Sequence, residues 1–243
     1  MAEHPDRFFI PGVSTRDEVE PEPAEARHMV RVLRMRPGDE LTAFDGTGVE
    51  CRCRIASVSG RRMRVEVLER HAIRREANVA VTLAVAASKN RAMDMIVRKC
   101  TELGAARLAA FHAGRSVARL EQPKAEKWRR VAIEAAKQCG RNMLPRIDEP
   151  LGPEGLPPLI REHATALVAA ESGPAFTLKQ ALQRHPLPGA VLCIIGPEGG
   201  FEAAELAALA AAGAVPVSLG RSILRVETAA IAALAMIIYH FSD

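Results

Sequence analysis

Ile194-Ile195-Gly196-Pro197-Glu198-Gly199-Gly200 closes an apolar strand at residues 191–195 on a turn almost without side chains, and helix formers follow at 203–212. Strand, glycine turn, helix is the order by which an α/β protein brings its backbone against a ligand. Glycine takes up positive φ and adds no side chain that would hold the ligand away. The turn carries Glu198 and no lysine, so it is a poor cradle for phosphate. A second segment, Ser218-Leu219-Gly220-Arg221-Ser222-Ile223-Leu224-Arg225-Val226-Glu227-Thr228, repeats the order shortly downstream. Two such turns indicate one small-molecule pocket walled by backbone.

Residues 79–86, 108–111, 166–170 and 215–219 read as buried strands. They alternate with helices at 93–103, 124–140, 203–212 and 227–240. In the first helix Met93, Ile96, Val97, Cys100 and Leu103 recur at helical spacing, with Gly104 as a stop. Alternating β and α elements imply a mostly parallel sheet covered by helices on both faces. Residues 7–70 read differently, as short strands broken by the turns Pro37-Gly38-Asp39 and Asp45-Gly46-Thr47-Gly48, with a helix at 24–35. A small β-rich, barrel-like domain is expected at 1–72, a polar link at 70–78, and an α/β domain at 76–243.

The chain has 243 residues, of which 48% are apolar, and a net charge of +4. No uninterrupted apolar run is long enough for a membrane span, the N-terminus lacks a secretory pattern, and a cytoplasmic location is expected. Five cysteines, at 51, 53, 100, 139 and 193, fit neither a disulfide framework nor zinc spacing, and no metal is expected. Charge is uneven. Residues 27–75 carry twelve basic and six acidic side chains, every basic one an arginine, and residues 76–150 carry fourteen and eight. Such surfaces attract polyanions unless their own acids neutralise them.

The familiar glycine-loop readings fail. No G-x-x-x-x-G-K-[ST] is present, and Gly196-Pro-Glu-Gly199-Gly200 neither fits G-x-G-x-x-G nor opens the fold. H-E-x-x-H and G-x-S-x-G are missing too. What remains is a pocket for a ligand with a flat apolar part and little phosphate. S-adenosylmethionine (SAM) has that shape, with Leu219, Ile223 and Leu224 available to its adenine.

Ile195-Gly-Pro-Glu-Gly-Gly-Phe201 followed by Leu219-Gly-x-x-Ile-Leu-Arg-x-Glu-Thr-Ala229 resembles the SPOUT methyltransferases, and more narrowly the RsmE family, which methylates N3 of a uridine in 16S ribosomal RNA. The resemblance runs through nearly the whole chain. Arg7-Phe8-Phe9 and residues 28–39 resemble the family's PUA-like RNA-binding domain, and residues 89–104 and 134–141 its central motifs. It implies a C-terminal trefoil-knotted domain, a homodimer, SAM as cofactor and the small ribosomal subunit as partner. Val226 stands where threonine is common, and Cys139 where serine is frequent.

On this basis Ile195, Gly196, Glu198, Gly199, Gly200, Leu219, Gly220, Ile223, Leu224, Glu227 and Thr228 are expected at the cofactor. Arg225 is the catalytic candidate, because a uridine losing its N3 proton develops negative charge that a fixed guanidinium stabilises. Gln138 and Arg141, read as i,i+3 at a helix end, are expected to hold the target base. Arg7, Arg31, Arg34, Lys89 and Arg91 are expected to contact RNA. Two alternatives stay open: a SPOUT enzyme acting on another RNA, such as a transfer RNA ribose 2′-OH, and a non-catalytic RNA-binding protein.

Overall fold

In the computed structural model the described residues are 6–60, 62–73, 75–88, 90–116, 124–170, 176–184 and 189–242. They form two compact units. The first comprises residues up to Glu76 together with Ile133–Leu144, and the second comprises Ala77–Ala132 and Pro145 onward.

The first unit holds a five-stranded sheet in the order β1-β3-β4-β5-β2, with β1 Arg7–Phe9, β2 Glu18–Val19, β3 Glu40–Phe44, β4 Val49–Ser59 and β5 Arg62–Ala72. Only β1 pairs in parallel; the other neighbours are antiparallel. Positive φ at Gly38, Gly46 and Gly48 makes the turns on either side of β3, as their glycines require. The register of β4 on β5 shifts at Arg52/Cys53 and at Ile55/Ser57, and such bulges strengthen the twist of long strands. Cys51, Cys53 and Ile55 alternate inward, with Met63 and Val65 opposite, and α1 (Pro23–Arg31) adds Ala26 and Met29 to the same core. The two neighbouring thiols are buried and free, and burial pushes that of Cys53 up to about 12.

Helix α1 stops at Arg31, short of the expected 35. Arg34 adopts φ 58°, a left-handed conformation in which no L-residue continues a helix. Strand β5 also runs on to Ala72, through the start of the expected linker. Cross-strand pairing overrides the polar composition there.

The second unit is a seven-stranded sheet in which every described pairing is parallel. Its strands are β6 Ala80–Ala86, β7 Arg107–Phe111, β8 Arg146–Ile147, β9 Thr165–Ala169, β10 Phe176–Thr177, β11 Ala190–Ile195 and β12 Val215–Ser218, in the order β10-β12-β9-β11-β6-β7-β8. Side chains alternate across it. Val81, Leu83 and Val85 meet α2 (Asn90–Leu103), the first half of α3 (Ala125–Cys139) and α7 (Val226–His240). Ala84, Ala86, Leu192 and Ile194 face α4 (Leu156–Arg161) and α6 (Ala203–Ala211) on the other side. Each fully buried Val, Leu or Ile contributes about 1.5–3 kcal/mol, so these two layers dominate the unit's stability.

Two short helices lie where the sequence shows no period. Helix α4 starts inside the proline-rich stretch, with proline in its first turn, where the missing N–H costs nothing. Helix α5 (Leu178–Gln183) is set by a capping box between Thr177 and Gln180. No helix among the described residues is long and apolar enough to cross a membrane.

Candidate functional site

The carboxyl ends of β9, β11 and β12 surround a cavity of about 360 Å³. Ligands of open α/β sheets bind at such ends, where strand-to-helix turns converge. Ala169 and Ala170 come from β9 and its exit, Ile195 to Phe201 from the turn after β11 (Glu198 excepted), and Ser218 to Leu224 from the turn after β12. Val226 and Ala229 of α7 complete that wall.

Eight of the expected cofactor residues line the cavity: Ile195, Gly196, Gly199, Gly200, Leu219, Gly220, Ile223 and Leu224. Ile223 is 77% exposed, an apolar side chain at the rim of the cavity. Glu198, Glu227 and Thr228 do not line it. The Glu198 carboxylate accepts from the buried Ser88 hydroxyl at 3.4 Å, and Glu227 sits in the first turn of α7, where an acid complements the helix dipole.

The glycines serve separate geometries. Gly200 (φ 68°) and Gly220 (φ 147°) hold backbone conformations that side chains resist, and a Cβ at either would meet no protein atom within 4 Å. Backbone at both turns therefore lies bare beside the cavity. A Cβ at Gly196 would lie 2.7 Å from the Phe201 ring, which stacks on Phe111 at 6.2 Å. That glycine makes room for an aromatic pair and acts on the cavity through it.

Arg225 is the N-cap residue of α7, exposed, with φ −63° and ψ 154°. Its carbonyl accepts from the Ala229 N–H at 2.8 Å, and no side-chain hydrogen bond or ion pair of Arg225 occurs among the described residues. The guanidinium is thus tethered at its backbone, one residue before the cavity-lining Val226, and its head is uncommitted.

Gln138 and Arg141 are not presented together. Helix α3 ends at Cys139, Gly140 turns the chain at φ 82°, and Arg141 lies beyond it. Gln138 is exposed, whereas Arg141 is buried against Glu76 within the first unit. The i,i+3 reading fails because the helix stops before its second member.

Arg7 also faces inward. It pairs with Glu50, donates to the Arg141 carbonyl at 3.2 Å and stacks over the Phe44 ring at 5.2 Å. Arg31, Arg34 and Arg91 are exposed, and none has a side-chain partner among the described residues. Lys89 lies outside the described residues. Much of the remaining positive charge of the first unit is neutralised on its sheet: Arg52 and Arg54 by Glu40 and Glu69, Arg64 by Glu18. The basic count of residues 27–75 therefore overstates the free positive surface.

Arg115, Phe201, Leu206 and Arg221 line the cavity without having been singled out from sequence. Arg115 had one legible signal: it follows the carboxyl end of β7 in a parallel sheet.

Residues 75–238 match the RNA methyltransferase domain family, and residues 21–68 the RNA methyltransferase PUA domain family. Ribosomal RNA small subunit methyltransferase E of Bacillus subtilis is 33% identical over 96% of each chain. The chain belongs to the ribosomal RNA small subunit methyltransferase E family. Its Synechocystis relative of the same name is 34% identical over 88% of this chain and 70% of that one. Two solved structures share the fold. A Legionella pneumophila methyltransferase in complex with SAM superposes with TM-score 0.84 at 31% identity, covering 96% of this chain and 97% of that one. The Neisseria gonorrhoeae methyltransferase E bound to SAM gives 0.82 at 28%, with the same coverage. Membership in the methyltransferase E family agrees with the resemblance that the two glycine segments carry.

Proposed function

We propose that this protein is a SAM-dependent methyltransferase acting on N3 of a uridine in 16S ribosomal RNA of the small subunit. One observation carries the proposal: in a chain of this family, both glycine turns meet at one cavity at the carboxyl ends of β9, β11 and β12. The residues fit the cofactor. The volume suits a small ligand, bare backbone at Gly200 and Gly220 can approach a nucleoside edge, and Leu219 and Leu224 supply an apolar wall. When bound, SAM supplies an electrophilic methyl group on its sulfonium.

The chain must then orient the uridine and handle its N3 proton. Arg225, exposed beside the cavity wall, stabilises the negative charge that develops on the base. Gln138, exposed at the end of α3, is the remaining candidate for holding that base. Arg31 and Arg34 lead the contact with RNA phosphates, with Arg91 contributing from α2. The chain has few aromatic residues, so recognition rests on arginines and shape.

The division along the sequence into a PUA-like domain at 1–72 and a methyltransferase domain at 76–243, the latter lending residues 133–144 to the first compact unit, the knotted path of the last helix, a homodimer and a cytoplasmic site of action belong to the same proposal. Helix α7 supports the dimer: it is apolar nearly all round, yet Met236 and Tyr239 are exposed in the single chain. Titration of the purified protein with SAM, followed by transfer of labelled methyl groups to small ribosomal subunits, tests the proposal. Binding with transfer is the expected result. Binding without transfer would leave only a cofactor site, and failure of both would remove the reading.

A further inference from the structure

The loop after β7 reaches the glycine turn after β11. Arg115 Nη1 donates to the Gly199 carbonyl at 3.1 Å, and its Nε lies 3.6 Å from Glu202 at the N-cap of α6. One residue earlier, the Gly114 N–H donates to Glu205 at 2.8 Å. Glu205 is the carboxylate that closes the α6 capping box by accepting from the Glu202 N–H at 2.8 Å. Three contacts thus join one loop to the glycine turn and to the helix start behind it, and Arg115 itself lines the cavity.

Gly199 packs against the same arginine. A Cβ there would touch the Cβ and Cδ of Arg115 at 3.4 Å. The arginine stem therefore lies flat along the turn, and a branched side chain at 199 would lift it away. The ion pair with Glu202 joins two half-exposed groups and contributes little by itself. The charge-assisted bond to a carbonyl and the packed stem carry the effect.

We propose that Arg115 is a positioning residue that straps the 196–200 turn against the cofactor cavity, and that a branched side chain at Gly199 would displace this strap. The proposal rests on the reading that the cavity takes SAM. Without the strap the turn samples other conformations, and the ligand must select the competent one, which lowers its apparent affinity.

The test is calorimetric titration of SAM into the ligand-free protein, with thermal unfolding of each variant measured alongside. Arg115→Ala is expected to weaken binding about tenfold, the size of one charge-assisted hydrogen bond, with the ligand-free unfolding midpoint unchanged. In steady state KM for SAM rises while kcat stays within about twofold, and Arg115→Lys recovers part of the loss. The decisive comparison is a double-mutant cycle. Gly199→Val should weaken binding in the parent protein and change it little in the Arg115→Ala background. Equal losses from Gly199→Val in both backgrounds, or parent-like binding by Arg115→Ala, overturn the strap and leave the cofactor reading intact. Absence of SAM binding by the parent protein overturns the cofactor reading itself.

Discussion

The Arg141 guanidinium grips the Glu76 carboxylate inside the first unit, with Nε 3.1 Å from Oε1 and a second bond from Nη2 to Oε2. Arg141 is only 6% exposed, so this arginine is spent on the fold. Nearby, the Asn142 amide donates to the Ile73 carbonyl at 2.9 Å, and Arg75 donates to the Gly140 carbonyl at 2.8 Å. Residues 133–144 are held in the first unit by bonds of this kind.

Removing one partner of such a pair takes a two-point, charge-assisted contact away from a buried arginine. Glu76→Gln or Arg141→Ala should destabilise the protein by about 3 kcal/mol. Urea unfolding measures the loss. A change below about 0.5 kcal/mol, the range of ordinary surface substitutions, would mean that Arg141 is free for another role.

Glu50 gives the acid dependence of the same unit. Burial alone would raise its carboxyl, but hydrogen bonds and charge from Arg75 and Arg7 outweigh burial and hold it below the usual carboxylate range. A carboxylate depressed in the folded state contributes stability above its unfolded value, about 4.3, and the contribution is lost as pH falls through the folded value. Glu50→Gln should therefore be less stable than the parent at pH 7, with the gap closing as pH drops below about 4. Denaturant midpoints across pH 3–7 read this directly, and a gap that persists in acid contradicts it.

Arg34 separates stability from RNA contact. Its φ of 58° is strained for arginine and free for glycine. Arg34→Gly should raise stability by roughly 0.5–1 kcal/mol and still weaken RNA binding, since local strain persists at positions retained for function. Charge reversal of Arg31 and Arg34 together should flatten the slope of log K against log salt by more than about 1.4, the single-strand value for two lost phosphate contacts. SAM binding stays unchanged. An unaltered slope places the RNA surface elsewhere.

The parallel sheet and its cavity were legible because strand, glycine turn and helix follow in sequence around residues 190–240 and bury a continuous apolar period. Arg7, Gln138 and Arg141 show where such reading stops. Whether an arginine faces a carboxylate or solvent depends on partners far along the chain, Glu50 for Arg7 and Glu76 for Arg141. Spacing within one element cannot supply that. The role of Arg115 is illegible in sequence for the same reason: its contacts lie on the turn after another strand. Helix α4 was hidden because prolines mark its first turn and also mark loops.

Arg225→Lys keeps a positive charge and loses the planar fork. Single-turnover methylation by this variant should slow by roughly 10²-fold, with SAM affinity changed less. If the rate holds within about threefold while SAM binding collapses, Arg225 belongs to the cofactor site.

The central claim concerns the atom that is methylated. Small ribosomal subunits lacking the modification are incubated with the protein and SAM, and the 16S RNA is digested to nucleosides for mass spectrometry. 3-Methyluridine is expected to appear, and to form roughly 10²-fold more slowly with Arg225→Lys. Methylation at a ribose 2′-OH, or no methylated nucleoside while SAM is bound, contradicts it.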